Sequence, residues 1–282
     1  MMGTLRFEKW EGLGNDFVLV DAPPFALEVE QIRRLCDRHF GVGADGVLVV
    51  THDAAPESGA PAGARLPRMV VYNADGSRPE MCGNGLRCVV GYLAGRGLAP
   101  SGEIVVATDA GEKACVVRAA DRAGAFDVTV AMGAVVARGE LTVTIDGTPH
   151  RFLTIDVGNP HAITFEPYAE PVIDRVGPRV ATTPAGGTNV EFCRLDRVSD
   201  GLAPTRIAVT VWERGVGRTL ACGTGACAVA AAACATGRAL YDAPVLVALP
   251  GGELEITVAS STFALRMRGP ARRIFTGAVE IA

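Results

Sequence analysis

The chain has 282 residues, of which 49% are hydrophobic and 21% charged, and its formal net charge at pH 7 is −4. This length exceeds one compact core, so we expect two domains. The slightly acidic balance, with no lysine- or arginine-rich stripe, argues against a nucleic-acid partner. The N-terminal residues show no signal-peptide pattern, and the longest apolar run, 226–235, is about half of the roughly 20 residues that a membrane span needs. We therefore expect a soluble, cytoplasmic protein with no membrane contact.

The first half of the chain predicts alternating strands and helices. Runs rich in Val, Ile and Thr between turn residues predict strands at 47–50, 69–72, 104–107 and 128–131. Two stretches, 29–38 and 86–96, predict helices, and the first is amphipathic, with Ile32, Leu35 and Cys36 on one side. Residues 53–67 are dense in Ala, Pro and Gly and predict a mobile surface loop.

The second half predicts a similar order of elements. Runs typical of strands occur at 207–212, 245–248 and 254–258. An alanine-rich stretch without proline, 226–238, predicts a helix. Its faces are apolar nearly all round, which is typical of a helix surrounded by protein.

The segment around Cys82 recurs around Cys222, in the second half of the chain. Met81-Cys82-Gly83-Asn84-Gly85 matches Ala221-Cys222-Gly223-Thr224-Gly225, and three flanking segments match in the same order with nearly the same offset in residue number. Ordered matches of this kind indicate a duplicated unit, and two such units usually build a site between them. We therefore predict an α+β fold of two pseudo-symmetric domains, each a curled β-sheet around a central helix. The first domain comprises residues 1–131 and 269–282, and the second comprises residues 132–268.

Both of these cysteines stand directly before Gly-x-Gly and a predicted helix. Backbone N–H groups at a helix start lack intrahelical partners, and the helix dipole adds roughly half a positive charge there. Such positions favour thiolate and lower a cysteine pKa from about 8.5 to ~3.5–7.5. The same N–H groups bind carboxylates. Each motif therefore predicts a reactive sulfur beside an anion site.

A pair of such motifs indicates one particular reaction. Inverting a carbon requires removal of its hydrogen from one face and delivery of a proton to the other, which a thiolate and a thiol do without metal or cofactor. Helix starts that hold the substrate carboxylate stabilise the enolate-like charge that develops. The sequence thus predicts a cofactor-independent epimerase with Cys82 and Cys222 as its acid/base residues. The other cysteines are expected to be inert thiols, buried (Cys36, Cys115, Cys193, Cys234) or inside helices (Cys88, Cys227).

Other site classes fit these residues less well. A zinc-binding module uses Cys-x₂₋₄-Cys pairs; Cys222 and Cys227 only reach the edge of that spacing, and this module remains the non-enzymatic alternative. A redox dithiol needs Cys-x-x-Cys, which the sequence lacks. Residues 41–46 match the dinucleotide pattern Gly-x-Gly-x-x-Gly, but they follow a predicted helix and lead into a strand, the reverse of the required order.

The motifs resemble those of the diaminopimelate epimerase family over nearly the whole chain. Gly12-Leu13-Gly14-Asn15-Asp16-Phe17 resembles the family's N-terminal signature, and the segments 72–77 and 81–88 resemble its first catalytic motif. The remaining motifs follow in family order: Gly158-Asn159-Pro160-His161, Thr188-Asn189, Glu213-Arg214-Gly215 and Ala221-Cys222-Gly223-Thr224-Gly225-Ala226. Relatives that act on proline or hydroxyproline tend to carry His where this chain has Asn84.

The resemblance implies the family's two-domain fold and the conversion of LL-diaminopimelate to the meso form, in the synthesis of lysine and peptidoglycan precursors. It implies Cys82 and Cys222 as the two acid/base residues. It implies contacts to the reacting carboxylate from Gly83, Asn84, Gly223 and Thr224. It implies that the rest of the pocket is lined by Asn15, Asn73, Asn159, Asn189, Glu213 and Arg214. A homodimer is a further expectation from the resemblance.

The residue types agree with that substrate, which has two amino-acid heads. Arg214 suits a bidentate carboxylate contact and Glu213 suits an ammonium group. Turn capping is an alternative role for Asn15 and Asn159, as asparagine often serves that purpose. His161 either polarises a neighbouring group or is structural. Some family members have a substrate-contacting glutamine where this chain has Gly46, and a racemase of a basic or imino acid remains an alternative activity.

Overall fold

A computed structural model of the chain describes residues 3–55, 65–120, 122–198 and 204–281. The chain divides into two compact units. Unit 1 comprises Met1–Val130 and Gly269–Ala282, and unit 2 comprises Ala131–Arg268. Within the described residues, each unit contains strands and two helices, which confirms the predicted α+β class of two similar halves.

The elements of the two units are as follows. Those that begin in the first part of the chain are β1 (Gly3–Gly12), β2 (Asn15–Asp21), α1 (Val29–Cys36), β3 (Gly46–Ala54), β4 (Leu66–Asn73), α2 (Gly83–Gly95), β5 (Glu103–Thr108), β6 (Gly111–Ala119) and β7 (Ala125–Ala134). Those that follow are β8 (Val136–Ile145), β9 (Thr148–Asp156), β10 (Pro160–Thr164), α3 (Glu170–Thr182), β11 (Asn189–Arg197), β12 (Thr205–Glu213), β13 (Gly217–Thr219), α4 (Gly223–Ala235), β14 (Pro244–Leu249), β15 (Gly252–Val258) and β16 (Ala264–Ile281).

The two units repeat one topology. In unit 1, the strand order runs from the later part of β16 through β1, β2, β3, β4, β5 and β6 to β7. In unit 2, it runs from β8 through β9, β10, β11, β12, β14 and β15 to the first part of β16, with β13 beside β12. The parallel pairs are β2/β3 and β4/β5 in unit 1, and β10/β11 and β12/β14 in unit 2. A helix bridges each of these pairs, because parallel strands need a long crossover connection.

The second helix of each unit is buried within its curled sheet. Helix α2 contacts β1, β2, β3, β4 and β6, and α4 contacts β9, β10, β11, β14 and β15. Small residues make this fit possible: a Cβ placed on Gly91 of α2 would lie 2.9 Å from Trp10 Cζ3. In α4, the alanines from Ala226 to Ala233 are buried. The sheets therefore wrap around a helix in each half, as the predicted fold has it.

The first helix of each unit covers an outer cluster of apolar side chains. Helix α1 buries Ile32, Leu35 and Cys36, and α3 buries its own apolar face against strands of unit 2. Helix α1 ends at Cys36, two residues before the predicted end. The reason is that Asp37 adopts an extended backbone and its carboxylate accepts hydrogen bonds from the N–H groups of His39 and Phe40.

The predicted surface loop at 53–67 is only partly tested by the structure. Strand β3 continues to Ala54 and β4 begins at Leu66, so both ends of that segment belong to strands. Residues 56–64 lie outside the described residues. Within the described residues, the helices are all too short or too polar to cross a membrane.

Candidate active site

Each of the two predicted cysteines is the N-cap residue of a buried helix. Cys82 precedes α2 and Cys222 precedes α4, and both have an extended backbone. The sulfur of each accepts a hydrogen bond from a backbone N–H of the first helical turn, at 3.4 Å from Gly85 N and 3.3 Å from Gly225 N. The two helix starts therefore hold their sulfurs in the same way, at the end of the helix where the dipole is positive.

The two sulfurs differ in burial. Cys82 is half-buried, whereas Cys222 is 7% exposed. Burial raises the pKa of Cys222 well above its ordinary value, and the negative charges of Glu213 and Glu191 raise it further. Hydrogen bonds from Thr224 and the Gly225 N–H lower it, but by less. The sequence-based expectation of a lowered pKa is therefore wrong for Cys222, because desolvation outweighs the helix start.

In unit 1 a chain of polar side chains leads to the start of α2. Asp45 accepts a hydrogen bond from Asn15 Nδ2 at 2.8 Å, and Asn15 Oδ1 accepts one from Asn84 Nδ2 at 3.1 Å. Arg87, which is fully buried, donates to Asn84 Oδ1 at 3.0 Å and to the carbonyl of Pro270 at 3.1 Å. The structure therefore brings the predicted residues Asn15 and Asn84 into contact, and it orients both amides.

Asn73 is the last residue of β4 and leads into a turn that adjoins the same aspartate. Its side chain donates to Ser77 Oγ at 2.9 Å, and the N–H of the next residue, Ala74, donates to the carbonyl of Asp45 at 3.0 Å. Asn73 is paired across the β3/β4 ladder with Gly46. A Cβ on Gly46 would lie 2.4 Å from the carbonyl oxygen of Tyr72, so this backbone leaves no room for a side chain there.

In unit 2 a second polar chain leads to Cys222. Its sulfur lies 3.6 Å from Thr224 Oγ1, and that oxygen accepts a hydrogen bond from Asn159 Nδ2 at 3.3 Å. Asn159 Oδ1 contacts His161 Nε2 at 3.1 Å, and His161 Nδ1 contacts Glu191 Oε1 at 2.7 Å. Both predicted residues, Thr224 and Asn159, therefore belong to one connected group with the sulfur.

The remaining predicted side chains of unit 2 are those of Asn189, Arg214 and Glu213, and the charge of Glu213 also acts on Cys222. Asn189 Oδ1 accepts a hydrogen bond from the backbone N–H of Arg214 at 3.0 Å, and the guanidinium group of Arg214 is exposed and donates to the carbonyl of Gly186. Glu213 Oε1 accepts a hydrogen bond from Thr219 Oγ1 at 2.6 Å. Gly83 and Gly223 are the first residues of α2 and α4, so their N–H groups lie at the helix starts.

Sequence reasoning did not assign a role to three residues of these networks. Asp45 lies in the rejected dinucleotide pattern, which follows α1 and leads into β3 as expected. Arg87 lies within the motif of Cys82, and Glu191 lies two residues after Asn189. The available signal was a charged residue among apolar neighbours, since Glu191 stands between Val190 and Phe192 and Arg87 stands in a mostly apolar helix. Among the described residues, no three His, Cys, Asp or Glu side chains are grouped so that they could hold a metal ion.

Known proteins of one family match nearly the whole chain. The chain matches the family described as diaminopimelate epimerase over residues 7–137 and 153–274. It is 40% identical to the diaminopimelate epimerase of Synechococcus elongatus, covering 99% of both chains. It is 38% identical to that of Desulforudis audaxviator, covering 97% of this chain and 98% of the relative.

Solved structures of other epimerases share the fold. A predicted epimerase from Pseudomonas aeruginosa is 15% identical, with a TM-score of 0.67 over 98% of this chain and 99% of that one. A hydroxyproline epimerase from Agrobacterium vitis is 16% identical, with a TM-score of 0.64 over 99% of this chain and 92% of that one. At these identities the likeness concerns the fold alone, whereas the sequence matches decide the family. The chain belongs to the diaminopimelate epimerase family.

Proposed function

We propose that this protein interconverts LL- and meso-diaminopimelate, an isomerase reaction that supplies lysine and peptidoglycan synthesis. Family membership over nearly the full chain supports the substrate. The observation that carries the chemistry is the repeated helix start, where Cys82 and Cys222 each cap a buried helix with their sulfur. The cytoplasmic location and the homodimer remain predictions, supported by family membership.

In the proposed reaction the two cysteines act as a pair of acid/base groups. One sulfur, as thiolate, removes the α-hydrogen from one face of the carbon, and the other, as thiol, delivers a proton to the opposite face. The product leaves the two protonation states exchanged. No cofactor is required, because a carboxylate held by backbone N–H groups stabilises the charge that develops next to the carbon.

The helix starts supply the contacts to the reacting carboxylate in this proposal. The N–H groups of Gly83, Asn84, Gly223 and Thr224 lie in the first turns of α2 and α4, where such groups lack intrahelical partners. The positive end of each helix favours a bound carboxylate.

The second head of the substrate requires a carboxylate partner and an ammonium partner. The exposed guanidinium group of Arg214 is suited to the distal carboxylate, and Glu213 is suited to the distal ammonium group. The amides of Asn15, Asn73, Asn159 and Asn189 both donate and accept hydrogen bonds. Asn189 also holds the backbone of Arg214, which supports a role in placing that side chain.

The test is α-hydrogen exchange in deuterated water with a panel of substrates. LL-diaminopimelate is expected to take up deuterium at one α-carbon and to give the meso form, whereas proline, hydroxyproline and lysine are expected to be inert. The double variant Cys82→Ala/Cys222→Ala serves as the control for exchange that the enzyme does not catalyse, because a single remaining sulfur can still remove and return a proton on one face. Exchange with proline or lysine but not with diaminopimelate would overturn the proposed substrate in favour of a related racemase.

A further inference from the structure

The two units differ in the pair of side chains that lies beneath the helix start. In unit 1 the parallel strands β2 and β3 place Phe17 beside Gly46, with Leu48 two residues further on. In unit 2 the parallel strands β10 and β11 place His161 beside Asn189, with Glu191 two residues further on. An apolar pair in one unit thus corresponds to an ionisable pair in the other.

The strand registers, together with the offset between the two halves, support that correspondence. Leu48 is paired with Val71 across the β3/β4 ladder, and Glu191 is paired with Val211 across the β11/β12 ladder. Val71 and Val211 are related by the same offset in residue number as the two cysteines. Leu48 and Glu191 therefore occupy the same position of the repeated unit.

Both side chains touch the first turn of the buried helix. A Cβ placed on Gly85 would lie 2.8 Å from Leu48 Cδ2, and a Cβ placed on Gly225 would lie 2.7 Å from Glu191 Oε1. These glycines are the residues whose N–H groups bind the sulfurs of Cys82 and Cys222. Glu191 therefore packs directly against the backbone that holds Cys222.

Glu191 and His161 are sealed from solvent, with side chains that are 0% exposed. One carboxylate oxygen, Oε2, is buried without a hydrogen-bond partner among the described residues. Burying such a group costs free energy, and an apolar pair of similar size serves the same packing position in unit 1. The ionisable pair therefore needs a reason other than packing.

A chain of hydrogen bonds connects Glu191 to Cys222 through His161, Asn159 and Thr224. The direction in which each of these bonds is donated supplies that reason. The ring must carry a proton on Nε2 for the contact with Asn159 Oδ1 to be a hydrogen bond, so the hydrogen bond between Glu191 Oε1 and His161 Nδ1 contains a second proton, which either partner can carry. With Oδ1 accepting from the ring, the Asn159 amide turns its Nδ2 toward Thr224 Oγ1. The single hydroxyl proton of Thr224 then remains for the sulfur of Cys222.

A ring without a proton on Nε2 would reverse this order. The Asn159 amide would turn over and donate to Nε2, and its oxygen would take the hydroxyl proton of Thr224. Thr224 could then no longer donate to Cys222, because a hydroxyl group has one proton. The partner of His161 Nδ1 thus decides whether the sulfur receives a hydrogen bond.

From this geometry we propose that Glu191 is a positioning residue, which orients His161 and Asn159 so that the Thr224 hydroxyl donates a hydrogen bond to the sulfur of Cys222. The proposal rests on the proposed role of Cys222 as one of the two acid/base groups. The hydrogen bond favours the thiolate of a deeply buried cysteine, which otherwise ionises with difficulty. In unit 1 the corresponding cysteine, Cys82, is only half-buried. Its sulfur accepts a hydrogen bond from the backbone N–H of Gly85, and the apolar pair Phe17 and Leu48 takes the place of His161 and Glu191.

A first measurement reads the ring directly. Nitrogen-15 NMR of histidine-labelled enzyme distinguishes protonated from unprotonated ring nitrogens, and the chain has only 4 histidines to assign. His161 is expected to carry a proton on Nε2 in the resting enzyme. An unprotonated Nε2 in the resting enzyme would overturn the proposal. This result does not depend on turnover, so it is separate from any failure of the proposed activity.

The second measurement is a set of kinetic variants. E191Q is expected to keep kcat within about threefold, because an amide N–H can donate to Nδ1 and leave the proton on Nε2. The double variant H161F/E191L copies the apolar pair of unit 1, so it restores packing without the polar chain, and it is expected to lower kcat roughly ten- to hundredfold. The KM for diaminopimelate is expected to change little in both.

The decisive comparison introduces the same double change into T224V. If Glu191 acts through the Thr224 hydroxyl, H161F/E191L should lower kcat no further once that hydroxyl is absent. A purely structural pair, or one that acts only by its charge, would lower kcat by the same factor in both backgrounds. Equal factors, or an unchanged kcat in H161F/E191L, would contradict the proposal.

Discussion

The start of α2 and the start of α4 have the same backbone and different surroundings. Each begins with an N-cap cysteine whose sulfur accepts an N–H bond from the glycine three residues later. Beneath the start of α2 lies an apolar pair, and α2 itself carries the buried cation Arg87, whereas beneath the start of α4 lies the buried pair of His161 and Glu191. Duplication thus preserved the geometry that presents a sulfur, and the side chains from neighbouring strands made the two sulfurs chemically unequal.

The largest expected effect concerns the two sulfurs themselves. Despite their different surroundings, Cys82→Ala and Cys222→Ala should each lower epimerisation at least ~100-fold, because each removes one of two required acid/base groups. The rate of conversion of LL-diaminopimelate, followed with circular dichroism to verify folding, checks this. Cys115→Ala in unit 1 and Cys234→Ala in unit 2 are matched controls and should remain active. Near-normal turnover in either active-site variant would make the two helix starts functionally unequal.

A second expected effect sharpens the contrast between the buried groups of α2 and α4. Arg87→Met should lower the free energy of unfolding by roughly 3 kcal/mol, because Asn84 Oδ1 and the carbonyl of Pro270 lose a buried donor. Cys227, at the equivalent position of α4, is also fully buried, and Cys227→Ala should cost about 1 kcal/mol. Urea denaturation of both variants measures the difference. Arg118→Met, at an exposed position, is the control and should change stability by less than ~0.5 kcal/mol.

A third expected effect tests a property that the two units share, the burial of inert thiols. Burial raises the pKa of Cys115 in unit 1 from its ordinary 9.0 to about 12, and that of Cys234 in unit 2 to about 11. Since the unfolded thiols ionise first, their contribution to stability is complete below pH 9 and is lost as the pH rises toward the folded values. Each thiol should therefore add about 1.4 kcal/mol per pH unit to the alkaline loss of stability.

Urea denaturation at pH 9, 10 and 11 checks this slope. Cys115→Ala and Cys234→Ala should each make the free energy of unfolding fall less steeply with pH than in the unsubstituted protein. A slope that stays the same in one variant would mean that the corresponding thiol ionises as readily in the folded protein as in the unfolded chain.

The smallest expected effect concerns two arginines at equivalent positions of the repeat. Arg78 in unit 1 forms an ion pair with Asp109, and Arg218 in unit 2 forms ion pairs with Glu170 and Asp174 of α3. These pairs are largely exposed, so Arg78→Ala and Arg218→Ala should each cost only about 0.2–1 kcal/mol. The loss should shrink in 1 M salt, because salt screens exposed charges. A loss well above that range in either variant would indicate that its ion pairs are not equivalent to ordinary surface pairs.

Several features of the protein follow from local sequence alone. The repetition of the cysteine motif with its flanking segments predicts two similar units, and the structure has two units with one topology. The helices after Cys82 and Cys222 were predicted from composition, although each begins three residues earlier than expected, at Gly83 and Gly223. Glycine is a poor helix former, so propensity places the start too late, whereas the N-cap sulfur and the surrounding sheet hold those first residues in the helix.

The sequence by itself determined the duplication, the position of each sulfur before a helix and the family, since these depend on patterns of neighbouring residues. Only the tertiary structure decided which side chains meet at those sulfurs. Glu191 and His161 are distant in the sequence and come together because β10 and β11 are parallel neighbours. Arg87 donates a hydrogen bond to the carbonyl of Pro270, which lies near the C-terminal end of the chain. The burial that raises the pKa of Cys222 is likewise a property of the packed unit, because desolvation depends on everything that surrounds the sulfur.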